Sequence, residues 1–170
     1  VFIEKYVING TEYTAGNAKP TGAGLAKFLS SNLTPPYGYS TLSQQDWVIM
    51  RYADVLLMLA EAENELNGPT LLAYNSINAI RTRAGMPPLP VGLSKDDMRK
   101  RIRHERRIEL AFEGQRYFDL KRWKTAKTVL NAVQDAPVVY KFEDKNYLWP
   151  IPQSEIDKNQ GKLSQNTDYK

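Results

Sequence analysis

The sequence predicts a mainly α fold: a tetratricopeptide-like helix pair plus further helices, with long irregular loops and little β. Three observations carry that expectation. Apolar residues recur at helical spacing from about Met50 onward; Asn67-Gly68-Pro69 and Gly85 followed by Pro87 and Pro88 cut that stretch into short pieces; and residues 1–49 hold no sustained period.

The first 49 residues scatter Gly, Pro, Asn and Thr, as in NAKPTGAG and NLTPPYGYS, and read as loops with at most short strands. The first helix starts near Met50, with Tyr52, Val55, Leu56, Leu59, Ala62 and Leu66 expected on its buried face. A second helix follows at once, with Ala73, Ile77, Ile80 and Ala84 as its stripe and Gly85 as its C-terminal stop. So short a turn requires the two to pack antiparallel. Ser94 with Asp97 three residues on is an N-terminal capping pattern for a third helix, expected to run to Gly114. Residues 115–134 read as helical again. The stretch DAPVVYKFEDKNYLWPIP reads as extended, Ser154 to Asn159 as one short helix, and the polar tail as surface chain unless Leu163 and Tyr169 dock.

Composition sets the bounds on function. Apolar residues make up 42% and charged residues 25%, and Val55 to Ala60 is the longest uncharged apolar run, too short to cross a bilayer as a helix. There is no Cys and one His, so thiol chemistry is excluded and a metal site would need oxygen ligands; no catalytic, metal or cofactor residue is expected. Without an initiator Met or a leader pattern, the chain reads as an internal or C-terminal piece of something larger. The net charge of +4 is a small excess of 23 basic over 19 acidic residues, which favours an ordinary solvated surface over a nucleic-acid footprint.

RHERRIELAFEGQRYFDLKRW, residues 103–123, admits three readings. On a helical wheel Met98, Ile102, Ile108 and Phe112 face the core, and Glu105 and Glu109 fall among them. An unpaired buried carboxylate costs several kcal/mol. Nucleic acid is disfavoured because the Glu residues interrupt the cations. A carboxylate pair for glycoside hydrolysis is geometrically conceivable, Glu105 and Glu109 lying about 6 Å apart, but one turn of one helix does not flank a substrate from both sides. The third reading is a structural network in which Glu63, Glu105 and Glu109 meet Arg51, Arg81, Arg116 and Arg122; the arginine fork matches a carboxylate and keeps its charge when desolvated. His104 is expected at the surface.

The order RYADVLLMLAEAENELNG, SINAIRTRAGMP, IRHERRIELAFEGQRYFDLKRW, YLWPIPQSEIDKNQG and a closing LSQNTDY resembles the C-terminal region of the SusD/RagB family. The resemblance spans residues 46–170 as one domain, behind the loop-rich segment 1–49. It implies a non-enzymatic surface lipoprotein of the bacterial outer membrane, which binds an oligosaccharide, polysaccharide or other nutrient and passes it to a SusC-like TonB-dependent transporter. It also implies a missing N-terminal half that carries the lipidated Cys and most of the ligand surface. A tetratricopeptide-type protein-interaction module is a further alternative to the hydrolase reading. Thr167-Asp168 stands where the family commonly shows Pro-Gly, a change expected to be harmless. The family motifs are chiefly structural and supply no ligand site. For sugar binding, Tyr37 and Tyr39 on the PPYGYS turn, beside Asn32, are the candidates, since aromatic faces and amides recognise sugars. Trp123 and Trp149 are expected in the core.

Overall fold

The computed structural model describes residues 2–3, 5–8, 11–14, 24–25, 27, 47–135 and 138–169. The chain forms two compact units, Val1–Ala111 and Phe112–Lys170. The division falls between Ala111 and Phe112, inside the charged stretch.

In the first unit, β1 (Phe2–Ile3) pairs antiparallel with β4 (Gly24–Leu25), and β2 (Lys5–Ile8) pairs antiparallel with β3 (Thr11–Thr14) in the register Lys5 to Thr14. The helices are α1 (Tyr52–Asn67), α2 (Leu71–Arg83) and α3 (Lys95–Glu109). Gly68, at φ +83, lets the chain leave α1, and Thr70 caps α2 by accepting from the Ala73 N–H. Glu63 braces that cap: its carboxylate accepts from the Thr70 hydroxyl at 2.8 Å and from Asn67 at 3.1 Å. Past α2, the Gly85 N–H bonds to Thr82 O and the Met86 N–H to Arg81 O, the double closure that a left-handed residue allows, and Gly85 supplies it at φ +70. Ser94 accepts from the Asp97 N–H and donates to its carboxylate, starting α3 as the sequence indicates.

α1 and α2 run antiparallel: Arg51, Tyr52 and Ala53 at the start of α1 lie beside Ala79, Ile80 and Arg83 at the end of α2. α3 is antiparallel to α1, since Asn64 donates to Lys95 O at one end and Arg106 meets Asp54 at the other. The shared core contains Leu57, Ile77, Ile80, Met98 and Ile102, all essentially sealed from solvent. Each such side chain contributes roughly 1.5–3 kcal/mol by burial.

Three expectations about faces and ends need correction. α1 buries Ala53, Asp54, Leu57, Ala60 and Asn64, a face nearly half a turn from the expected one. Tyr52, Val55, Leu59 and Leu66 are exposed, as is Ala62. Small Ala53 and Ala60 flank Leu57 in a core shared with Ala73, Ile77 and Ile80 of α2, and of the expected set Leu56 alone packs against it. On α2, Ala84 is likewise exposed. α3 stops at Glu109 rather than Gly114: the Leu110 N–H makes the last helical bond, to Arg106 O at 3.1 Å, the Ala111 N–H turns to Ile108 O, and Phe112 takes φ +66. Ile108 and Phe112 are consequently about half exposed, while Glu105 and Arg106 are buried.

The second unit contains α4 (Gln115–Arg122), α5 (Ala126–Asn131), the two-residue antiparallel strands β5 (Gln134–Asp135) and β6 (Val138–Val139), a 3-10 turn (Asp144–Tyr147) and α6 (Gln153–Lys158). Lys124 at φ +57 breaks the single helix expected over 115–134. Leu120, Ala126 and Phe142 form the core, with the Tyr147 ring edge-on to Phe142 at 5.0 Å. The Asn131 amide closes both backbone groups of Phe142, and the Gln165 amide both of Ile151. With the Tyr169 hydroxyl donating to Leu148 O at 3.1 Å, these bonds dock the closing LSQNTDY segment on the LWPIP segment. Trp123 is half-buried, but Trp149 is 71% exposed, not a core residue; its ring lies beside the Lys121 ammonium, a polar neighbour that suits a surface position.

Candidate functional site

Helical geometry first places the charges. At 100° per residue Glu105 and Glu109 fall on one side of α3, and they meet the start of α1 and the end of α2. Arg81 of α2 donates to Glu105 at 2.7 Å, with side-chain exposures of 15% and 9%. Glu109 takes two guanidiniums on one carboxylate oxygen, Arg51 at 2.7 Å and Arg83 at 2.6 Å. Arg51 also donates to Glu109 O at 3.0 Å, and Lys27 donates to Glu109 O and Ala111 O at 2.8 and 2.9 Å. The unsatisfied carbonyls at the C-terminus of α3 are thus met by cations, which its dipole favours. Arg106, pointing toward α1, meets Asp54 in the most buried ion pair among the described residues, both side chains 5% exposed.

Of the seven residues expected in one network, the first unit brings together Arg51, Arg81, Glu105 and Glu109. Glu63 is not among them; its partners are Asn67 and Thr70. Arg116 and Arg122 belong to the second unit, where Arg116 is half-buried and Arg122 donates to buried Asp119 at 2.9 Å and stacks on Trp123. Sequence reasoning missed Asp54, Arg83, Arg106 and Lys27. An Asp in the first turn of a helix reads as a favourable surface charge, so nothing in the string marks Asp54 as buried. His104 is exposed.

Outside the core, Arg99 links α3 to Glu65 of α1, and that hydrogen bond holds the Glu65 carboxyl below the usual range despite partial burial.

Between the start of α1 and the end of α2 lies a groove of about 280 Å³, lined by Arg51, Tyr52, Ala53, Leu56, Ala79, Ile80 and Arg83. Its floor is apolar, Tyr52 is 74% exposed, and the Arg83 side chain is 60% exposed at the rim. Tyr37, Tyr39 and Asn32 lie outside the described residues. Among the described residues no cluster of three or more His, Asp or Glu is placed to hold a metal ion, and no helix is long and apolar enough to cross a membrane.

The sequence profile of the SusD family matches residues 4–169. SusD-like protein P2 of Formosa agariphila is 37% identical over 137 residues, 75% of this chain and 26% of that protein. SusD-like protein P38 of the same organism is 31% identical over 153 residues, 85% of this chain and 28% of that protein. Among solved structures, a SusD homolog from Bacteroides thetaiotaomicron is 38% identical with a TM-score of 0.61, over 72% of this chain and 27% of that one. Surface glycan-binding protein A, also from Bacteroides thetaiotaomicron, is 34% identical with a TM-score of 0.56, over 71% of this chain and 24% of that one. The chain therefore spans about a quarter of the length of the relatives it matches.

Proposed function

The chain belongs to the SusD family, and on that premise we propose that it is part of a surface-exposed lipoprotein of the bacterial outer membrane that binds glycans and delivers them to a SusC-like TonB-dependent transporter. The observation that carries the reading is the likeness, at 34% identity, to a protein named for surface glycan binding. We read the chain as non-catalytic and without a cofactor, its ligand an oligosaccharide or polysaccharide rather than nucleic acid. The remainder of the protein, three quarters of it by the length of the relatives, supplies the lipid anchor and further ligand surface.

The charged stretch supports this reading against hydrolysis. A glycosidase needs two carboxylates open to substrate, one of them able to give up a proton. Glu105 is buried against Arg81, and Glu109 is held by two arginines on the same face of α3. Both arrangements tie the carboxylates to the helix packing. The antiparallel α1 and α2 also suit a protein-interaction module, which the same scaffold would provide toward the transporter.

The test is made on the intact protein in the bacterium that encodes it. Affinity purification should recover a TonB-dependent transporter barrel, and deletion of the gene should lower uptake of one class of glycan while leaving extracellular depolymerisation unchanged. Recovery without any such barrel, together with unchanged uptake, contradicts the proposal.

A further inference from the structure

We propose that the groove between the start of α1 and the end of α2 is a subsite for one acidic sugar residue, a uronate whose ring lies on Tyr52 and whose carboxylate is held by Arg83. This rests on the glycan reading and narrows it to a ligand class.

Size sets the first limit. At about 280 Å³ the groove lies at the small end of ligand pockets, with room for one pyranose ring but not a folded chain of them. The apolar floor of Ala53, Leu56 and Ile80 suits the C–H face of such a ring, and the exposed Tyr52 ring offers a flat wall with a hydroxyl at its edge.

Charge sets the second. Glu109 accepts from both Arg51 and Arg83, and the Lys27 ammonium lies on the Glu109 carbonyl, so cations gather at this end of the groove. An anionic group on the ligand complements them. Arg51 is committed inward, with one nitrogen on the Glu109 carboxylate and the other on Glu109 O. Arg83 spends one donor on Glu109 and is 60% exposed, which leaves four N–H groups and an edge of the guanidinium for a ligand. That edge is the fork that pairs with a carboxylate through two parallel hydrogen bonds. Glu109 acts here as a positioning residue, fixing the Arg83 fork over the apolar floor.

Calorimetry on the 170-residue chain compares a galacturonate trisaccharide with its methyl ester, a neutral analogue of nearly the same shape, and repeats the pair built on glucuronate. One acid should bind at least tenfold more tightly than its ester, and the difference should shrink as salt rises. Tyr52→Ala should weaken acid and ester alike at least fivefold; Tyr52 is exposed, so the variant folds. Arg83→Gln should erase the preference for the acid, and if that variant melts early, Arg83→Lys decides, because it keeps the charge and removes the fork: a fivefold loss for the acid supports the subsite. Equal binding of acid and ester overturns the uronate assignment but leaves glycan binding standing. Affinities that Tyr52→Ala leaves unchanged, together with an acid affinity that Arg83→Lys leaves unchanged, overturn the location. No binding by any of the four sugars overturns the subsite, leaves the groove as a seat for a side chain of another segment, and does not touch the uptake test of the whole protein.

Discussion

Arg106 of α3 donates to Asp54 of α1 where both side chains are 5% exposed, so an ion pair sits between two helices that otherwise meet through Leu57, Ala60 and Ile102. Burying both charges is costly, and their mutual attraction offsets that cost only while both are present.

Removing one partner therefore exposes the full penalty. Asp54→Ala should destabilise the protein by about 3–5 kcal/mol, the penalty for taking a carboxylate away from a buried guanidinium. The double change Asp54→Leu with Arg106→Met should recover most of the loss. Urea denaturation of the three proteins measures both effects, and a single variant as stable as the parent would contradict the assignment.

Glu109 makes more contacts yet should matter less. Its partners Arg51 and Arg83 are 26% and 60% exposed, so water can replace the lost carboxylate. Glu109→Ala is expected to cost about 1–3 kcal/mol, the range for hydrogen bonds to charged groups. The ranking of the two alanine variants in one melting series is the check.

How far these contacts were legible in the sequence depends on what marks them. Caps and stops were: Ser94 with Asp97, Gly85 before two prolines, and Asn67-Gly68-Pro69 act through local backbone chemistry, and each ends or starts a helix where its residues indicate. The pairing of Glu105 with an arginine was inferable because a carboxylate on a buried stripe demands a partner. Which face of α1 is buried was not, because that helix carries apolar residues nearly all round, and the buried side sets Leu57 between Ala53 and Ala60 while including the polar Asp54 and Asn64. Asp54 was hidden by the same misplaced face. Lys27 reaches α3 from more than eighty residues away, a contact that no local pattern encodes. The break at Lys124 carries no glycine or proline to announce it.

Asp168 adopts φ +72, at the place where the family resemblance leads one to expect glycine. A left-handed conformation costs an L-residue roughly 1–2 kcal/mol, less for Asp, and glycine avoids that cost while losing more chain entropy. Asp168→Gly should raise stability by up to about 1 kcal/mol. A lower melting temperature would show that the Asp168 side chain contributes more than its backbone costs.

Glu143 lies between two lysines, 2.7 Å from Lys141 and 3.0 Å from Lys145. Their hydrogen bonds and charges, Lys141 foremost, hold its carboxyl down to about 2, against an ordinary 4.5. A carboxyl with a folded value below its unfolded one stabilises the fold above about pH 4.5, and that contribution is lost as pH falls from there toward 2. Carbon-detected NMR of the Glu143 carboxyl should show this low midpoint. Lys141→Ala should move it upward more than Lys145→Ala does, and both movements should diminish in high salt.

Binding without cleavage is the claim on which the account stands, and gel electrophoresis in polysaccharide-loaded matrices tests it most directly when each migrated band is also assayed for newly formed reducing ends. The expected result is that at least one polysaccharide retards the intact protein, of which this chain is a part, and that none is shortened by it. A polysaccharide shortened by the parent chain but left intact by Glu105→Gln or Glu109→Gln would contradict it, and so would free migration through every matrix.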